Sequence, residues 1–201
     1  MGRRRTFTET DVVATAGEVF AQKGYAATTL EDLVSATGLG KQSLYNAFGA
    51  KRDLFLRALT SETADAVAAV EEAFAEGDST PLERIKAHLL KLAITLSGPE
   101  RRRSLVAKAT IELADGDAEV AGSALRAFTD LAGIYRGCIV EAQRSGEVDS
   151  AADPEALADF FVALTRGMEM LGQAGIGREQ LTGIAMTSLD VLPRVHPADP
   201  R

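Results

Sequence analysis

Gln42, Ser43 and Asn46 place three hydrogen-bonding side chains within five residues, spaced to share the outer face of a helix beginning near Lys41. An amide side chain offers a donor beside an acceptor, which matches an adenine edge in the DNA major groove, and a serine hydroxyl can serve several bases. Tyr45 and Lys51 carry groups suited to phosphate oxygens, whose contacts set register and not sequence. Thr29 and Lys41 complete this candidate DNA-contacting set. Met1–Arg5 adds Arg3, Arg4 and Arg5, either an arm for a minor groove or phosphates or a solvated tail.

Other chemistry is thinly supplied. The two histidines, His88 and His196, belong to no H-E-x-x-H pattern, and no G-x-S-x-G occurs, so no catalytic residue is assigned. Asp115, Asp117 and Glu119 start like a calcium loop, but Val120 stands at the sixth position and Arg126 at the twelfth, so a turn and helix cap is expected. Gly172, Gly175 and Gly177 follow no strand and form no dinucleotide fingerprint. The single cysteine, Cys138, excludes an internal disulfide and a multi-cysteine zinc site. No metal and no cofactor are expected.

The elements that must hold the polar helix are legible around it. Thr29 followed by Asp32 forms a capping-box-like helix start, and Leu30, Leu33 and Val34 recur at helical spacing. Gly38 suits a stop that needs positive φ, and Leu39 anchors the turn. In the next helix Leu44 and Ala47 are expected to point inward, Tyr45 and Phe48 to flank, and Gly49 to end the run. An earlier stripe of Phe7, Val12, Ala16, Val19 and Phe20, closed by Gly24, supplies cover for Leu33 and Leu44 and gives a three-helix head. The pair of helices has the layout of a helix-turn-helix.

Phe20, Gly24-Tyr25, Thr28-Thr29, Gly38-Leu39, Tyr45, Phe48, Lys51 and Leu54, in that order, resemble the TetR family of bacterial transcriptional repressors. Beyond the first quarter of the chain, Thr110–Ala121 (TIELADGDAEVA) resembles a segment of one subgroup, some members of which carry an electrophile-sensing cysteine just upstream. Here Arg101-Arg102-Arg103-Ser104 stands instead, which argues against thiol sensing there. The resemblance implies a repressor that binds a palindromic operator as a dimer and leaves it on binding a small molecule.

The 201 residues are 46% hydrophobic and 25% charged, ordinary for a globular chain able to bury a core. Net charge is −7. Residues 1–55 hold seven basic and six acidic side chains, leaving −8 on the remainder, so a weakly basic head precedes an acidic body. No apolar stretch follows the basic start and none approaches a membrane span, so a cytoplasmic protein without membrane contact is expected.

Helical periodicity runs nearly throughout, giving an all-α expectation: a helix-turn-helix DNA-binding domain over 1–50 and a helical ligand-binding and dimerisation domain over 51–201. A long helix is expected from Ala50 to Glu76, about 40 Å at ~1.5 Å per residue, touching both parts as a lever. Breakers then divide the body into helices near Leu82–Ser97, Arg101–Ala114, Ala118–Ser145, Pro154–Ala174 and Arg178–Leu192. The last two carry apolar stripes wider than one neighbour requires: Leu157, Phe160, Leu164, Gly167, Leu171, Leu181, Ile184 and Leu189 form the candidate dimer face. Apolar positions of the middle helices are candidate walls of an effector cavity or plain core: Leu92, Leu96, Val106, Thr110, Leu113, Phe128, Leu131, Tyr135, Cys138, Phe161 and Met168, with Thr110 and Tyr135 as polar anchors. The partners expected are an operator duplex, an unidentified small apolar or amphipathic effector and a second copy of the chain. A ligand-responsive activator, or a helical protein-interaction module without DNA binding, is the competing reading.

Overall fold

The computed structural model describes residues 8–75, 78–99 and 103–194. Among them every regular element is an α-helix: α1 Glu9–Lys23, α2 Leu30–Thr37, α3 Lys41–Phe48, α4 Lys51–Phe74, α5 Pro81–Ser97, α6 Leu105–Leu113, α7 Ala118–Arg144, α8 Pro154–Gln173 and α9 Arg178–Asp190. The starts follow local chemistry. Thr8, Thr29 and Thr80 each close a reciprocal capping box with Asp11, Asp32 and Glu83. Asp153 caps α8, and proline opens both α5 and α8, where its missing N–H costs nothing. The sixth helix begins at Leu105, later than the expected start, because the Ser104 hydroxyl accepts from the Ala107 N–H and defines the cap. The expected end of the long helix at Glu76 and Gly77, Phe7 of the first stripe, Arg101-Arg102 and His196 lie outside the described residues.

Packing divides the chain into two compact units, one from 1–66 with 102–127, the other from 67–101 with 128–201. α6 therefore joins the head, a partition that sequence order does not reveal. In this first unit Phe20 and Leu33 are fully buried, and Phe20 meets Phe55 edge-on at 5.2 Å. α1 packs on α2 and on α6. Each fully buried Leu or Phe contributes on the order of 1.5–3 kcal/mol, and Leu44, Leu54, Leu59 and Leu105 join Phe20, Leu33 and Phe55 in this interior.

In the second unit α5 packs against α8 and α9 around Ile85, Leu89, Tyr135, Ile139, Phe161 and Leu181. The buried Arg84 donates to the Phe74 carbonyl and to Glu141, so its charge is answered. Leu181 and Leu189, expected on the dimer face, are instead core residues of this unit, 0% and 7% exposed. They lie on the face of α9 shared with Ala185 and Ser188, also buried, so the chain covers them itself.

Candidate nucleic-acid interface

Three local devices set the two-helix motif. The Thr29 hydroxyl accepts from the Asp32 N–H at 3.1 Å, while the Asp32 carboxylate accepts from the Thr29 N–H at 2.9 Å. Lys23 donates to the same carboxylate at 2.6 Å, and this bond chiefly holds the Asp32 pKa down at about 2. Gly38 ends α2 at φ +69°, a left-handed conformation where a side chain is strained, and its N–H returns to the Val34 carbonyl at 3.0 Å. Leu44 and Phe48, one turn apart, are each 3% exposed and fix the inner face of α3.

That narrow seam leaves the rest of α3 outside. Lys41, Gln42, Ser43, Tyr45 and Asn46 are all exposed, Tyr45 at 45%. The Gln42 amide nitrogen donates to the Asn46 Oδ1 at 3.0 Å, one turn on. The Gln42 Oε1 and the Asn46 Nδ2 then remain as an acceptor and a donor on one surface. Ala47, expected inward, is exposed; in an eight-residue helix resting on positions 44 and 48 it falls on the flank. Its methyl is a group of the kind that meets thymine C5-methyls, a feature that an inward assignment concealed. Phe48, expected to flank, is core.

Two further sequence candidates have engagements of their own. Lys51 does not stand free for phosphate: its Nζ donates to the Tyr25 and Thr28 carbonyls, both at 2.8 Å, and lies 4.3 Å from the Tyr25 ring centroid. It is a brace for the loop between α1 and α2. Sequence spacing showed a cation at a helix start but not the carbonyls folded beneath it. Thr29 remains exposed, with its oxygen occupied as the α2 cap. Arg3, Arg4 and Arg5 lie outside the described residues.

The acidic cluster also has a plain structural role. The Asp117 Oδ1 accepts from the Glu119 and Val120 N–H groups at the start of α7, and Arg52 donates to Asp117 at 2.5 and 3.1 Å and to Glu119 at 2.9 Å. The Arg52 bond holds the Asp117 pKa at about 2. Asp117 thus caps a helix, as the spacing indicated.

The candidate effector residues separate. Val106, Thr110 and Leu113 belong to the first unit, where the Thr110 hydroxyl donates back to the Val106 carbonyl at 2.7 Å. Leu92, Leu96, Phe128, Leu131, Tyr135, Cys138, Phe161 and Met168 gather in the second unit's core. There Tyr135 stacks on Phe161 at 5.4 Å and meets Phe74 edge-on at 5.0 Å. The Tyr135 hydroxyl is buried and has no hydrogen-bond partner among the described residues. Burial raises its pKa. His88 faces both Phe74 and Tyr135; burial above all, then Lys91 and Arg166, lowers its pKa to about 4. Burial pushes the Cys138 thiol up to about 11, and Sγ donates to the Pro81 carbonyl at 3.3 Å, which favours the protonated thiol.

A capped helix, a left-handed glycine turn and a second helix with a mostly polar outer surface define a helix-turn-helix DNA-binding protein. Residues 12–58 match the model of bacterial regulatory proteins of the tetR family, and residues 81–181 match the tetracyclin repressor-like C-terminal domain. The chain belongs to the TetR family of transcriptional regulators and is a DNA-binding regulator of transcription. It is 31% identical to the uncharacterized HTH-type transcriptional regulator YezE of Bacillus subtilis, covering 96% of this chain and all of that one. It is 25% identical to the repressor DhaR of Mycobacterium sp. strain GP1 over 88% of each chain. Among solved structures, a cysteine-substituted CifR bound to a 26-bp operator duplex superposes with a TM-score of 0.82 at 24% identity, covering 96% of this chain and all of that one. Reduced NemR of E. coli does so with a TM-score of 0.81 at 17% identity, covering 94% and 97%. No helix among the described residues is long and apolar enough to cross a membrane.

Proposed function

We propose that the protein is a cytoplasmic, non-enzymatic repressor that binds a twofold-symmetric operator as a homodimer and is released by a small apolar or amphipathic effector. Residues 1–50 carry the DNA reading and 51–201 carry effector binding and pairing. The observation that carries the DNA step is the exposed Gln42–Asn46 pair. An outward acceptor beside an outward donor suits adenine, which offers the N6 donor beside the N7 acceptor, and suits guanine less, since guanine offers two acceptors there. Lys41, Ser43, Tyr45 and Ala47 surround the pair, and Thr29 and the Arg3–Arg5 arm complete the contact set on the phosphates and the adjacent groove.

Support for pairing comes from α8 and α9. Leu157, Phe160, Leu164 and Ile184 are only partly covered by their own chain, Leu171 is 38% exposed, and a Cβ at Gly167 would meet open space. Two recognition helices about 34–36 Å apart would then reach successive major grooves. Support for an effector comes from the Tyr135 hydroxyl, unbonded among the described residues, a polar anchor in a mostly apolar interior. CifR was solved on its operator and DhaR is named a repressor, which favours repression.

Selection from random duplex DNA tests the reading. A palindromic sequence with an adenine in each half-site is expected, and Asn46→Ala should lose that adenine preference at a cost of about 1–3 kcal/mol. An asymmetric product, or unchanged discrimination in Asn46→Ala, would remove the support for this assignment.

A further inference from the structure

The peptide joining Tyr25 to Ala26 is gripped at both ends. Its carbonyl accepts from the Lys51 Nζ at 2.8 Å, and its N–H donates to the Glu112 Oε1 at 2.8 Å. The Tyr25 N–H donates to the other carboxylate oxygen, Oε2, at 3.0 Å. A cation at the carbonyl and an anion at the N–H both align with the peptide dipole, and bonds to charged groups are stronger than neutral ones. Glu112 is 86 residues from Ala26 and lies on α6, within the range of the C-terminal family model.

We infer that Glu112 is a positioning residue for operator recognition: it orients the loop that delivers α2, and with it α3, without touching DNA itself. Three observations support the role. The loop ends at Thr29, the cap of α2, so its path sets where α2 begins. Thr28 is tied into the same loop, its hydroxyl donating to the Gly24 carbonyl at 2.6 Å and its own carbonyl accepting from Lys51. Gly24, at φ +86°, leaves the room the carboxylate needs: a Cβ there would lie 2.3 Å from the Glu112 Oε2. The inference rests on DNA binding by α3.

The test uses the full chain and a duplex recovered by random-sequence selection with the unsubstituted protein. Glu112→Ala removes both bonds to the loop and is expected to weaken binding to that duplex about tenfold, while affinity for a scrambled duplex changes less than about twofold. Glu112→Gln, which keeps one accepting oxygen, should recover part of the loss. In the same proteins, amide exchange at Tyr25 and Ala26 should accelerate in Glu112→Ala while exchange in the core of α8 stays as before. Glu112→Ala with selective affinity intact, or with both duplexes weakened alike as the whole chain loosens, would overturn the assignment. Failure of DNA binding altogether shows separately, as an unsubstituted protein that selects no sequence, and takes this inference down with it.

Discussion

In the unit that holds the recognition motif, charged side chains clasp main chain near the surface: Lys51 and Glu112 hold one loop, Asp32 and Asp117 cap helices, and Arg52 ties Asp117 to the start of α4. In the unit built on α8 and α9, inward polar groups include several neutral ones, namely His88 kept uncharged by burial, a Tyr135 hydroxyl without a partner among the described residues and a protonated Cys138, and the charges there come in pairs, Arg84 with Glu141 and Arg166 with Glu169. Surface clasps fix geometry at little desolvation cost, which suits a part that, on the function proposed above, presents two amides to a groove. Neutral buried groups leave a low-dielectric interior whose integrity depends on fit. The difference divides placement from packing.

The comparison breaks most visibly where packing alone matters. Phe161 is fully buried between Tyr135 and Phe160, so Phe161→Ala should cost about 3–5 kcal/mol in chemical denaturation. A loss under about 1 kcal/mol would mean that this interior is slack enough to collapse, contrary to a filled core.

Acid separates the units next. Folded His88 stays neutral down to about pH 4, whereas the unfolded chain takes up that proton near 6.5. The unfolded state therefore binds more protons between these values. Stability is intact above about 6.5 and declines as pH falls toward about 4, by at most about 3 kcal/mol. His88→Gln should flatten that decline. Asp32 and Asp117, with pKa values near 2, keep their stabilising contacts above the ordinary carboxylate range and lose them only as pH falls from there through about 2. A denaturation series between pH 4 and 7 that is flat in the unsubstituted protein would erase the distinction.

Lys51 sharpens the placement side. Lys51→Met keeps the chain length and removes both carbonyl bonds, and should cost about 1–2 kcal/mol of stability. It should leave the salt slope of DNA binding unchanged, since no phosphate contact is removed. A slope reduced by about one unit would restore Lys51 to the phosphate backbone.

How much of this could be read from the sequence follows the same division. Capping boxes, the Gly38 turn and the α3 outer face are local, so their residue types declare them: Thr29 with Asp32, glycine after Thr37, amides at 42 and 46. The helix order was legible for the same reason. Long-range clasps were not. Glu112 stands on α6 and the N–H groups it holds stand before α2, and no periodicity links them. The brace that Lys51 makes was not legible, because a cation at a helix start looks alike whether it faces phosphate or a folded-back carbonyl. Leu181 and Leu189 were misread because an apolar stripe does not say which chain will cover it. Arg3, Arg4 and Arg5 lie outside the described residues, so their reading as an arm or a solvated tail rests on the sequence.

The smallest expected stability change is the most informative about the interior. Tyr135→Phe removes a buried hydroxyl that bonds to nothing among the described residues and leaves the ring stacked on Phe161. A bonded hydroxyl would contribute about 0.5–1.5 kcal/mol, whereas deleting an unbonded one should be neutral or stabilising by up to about 1 kcal/mol. Thermal or chemical denaturation reads the sign directly. A stabilised Tyr135→Phe that also responds more weakly to candidate effectors would mark the hydroxyl as kept for a ligand at some expense of fit. A destabilised variant would instead mean that the hydroxyl finds a partner in solution, and the second unit would then hold a wetter interior than its apolar lining implies.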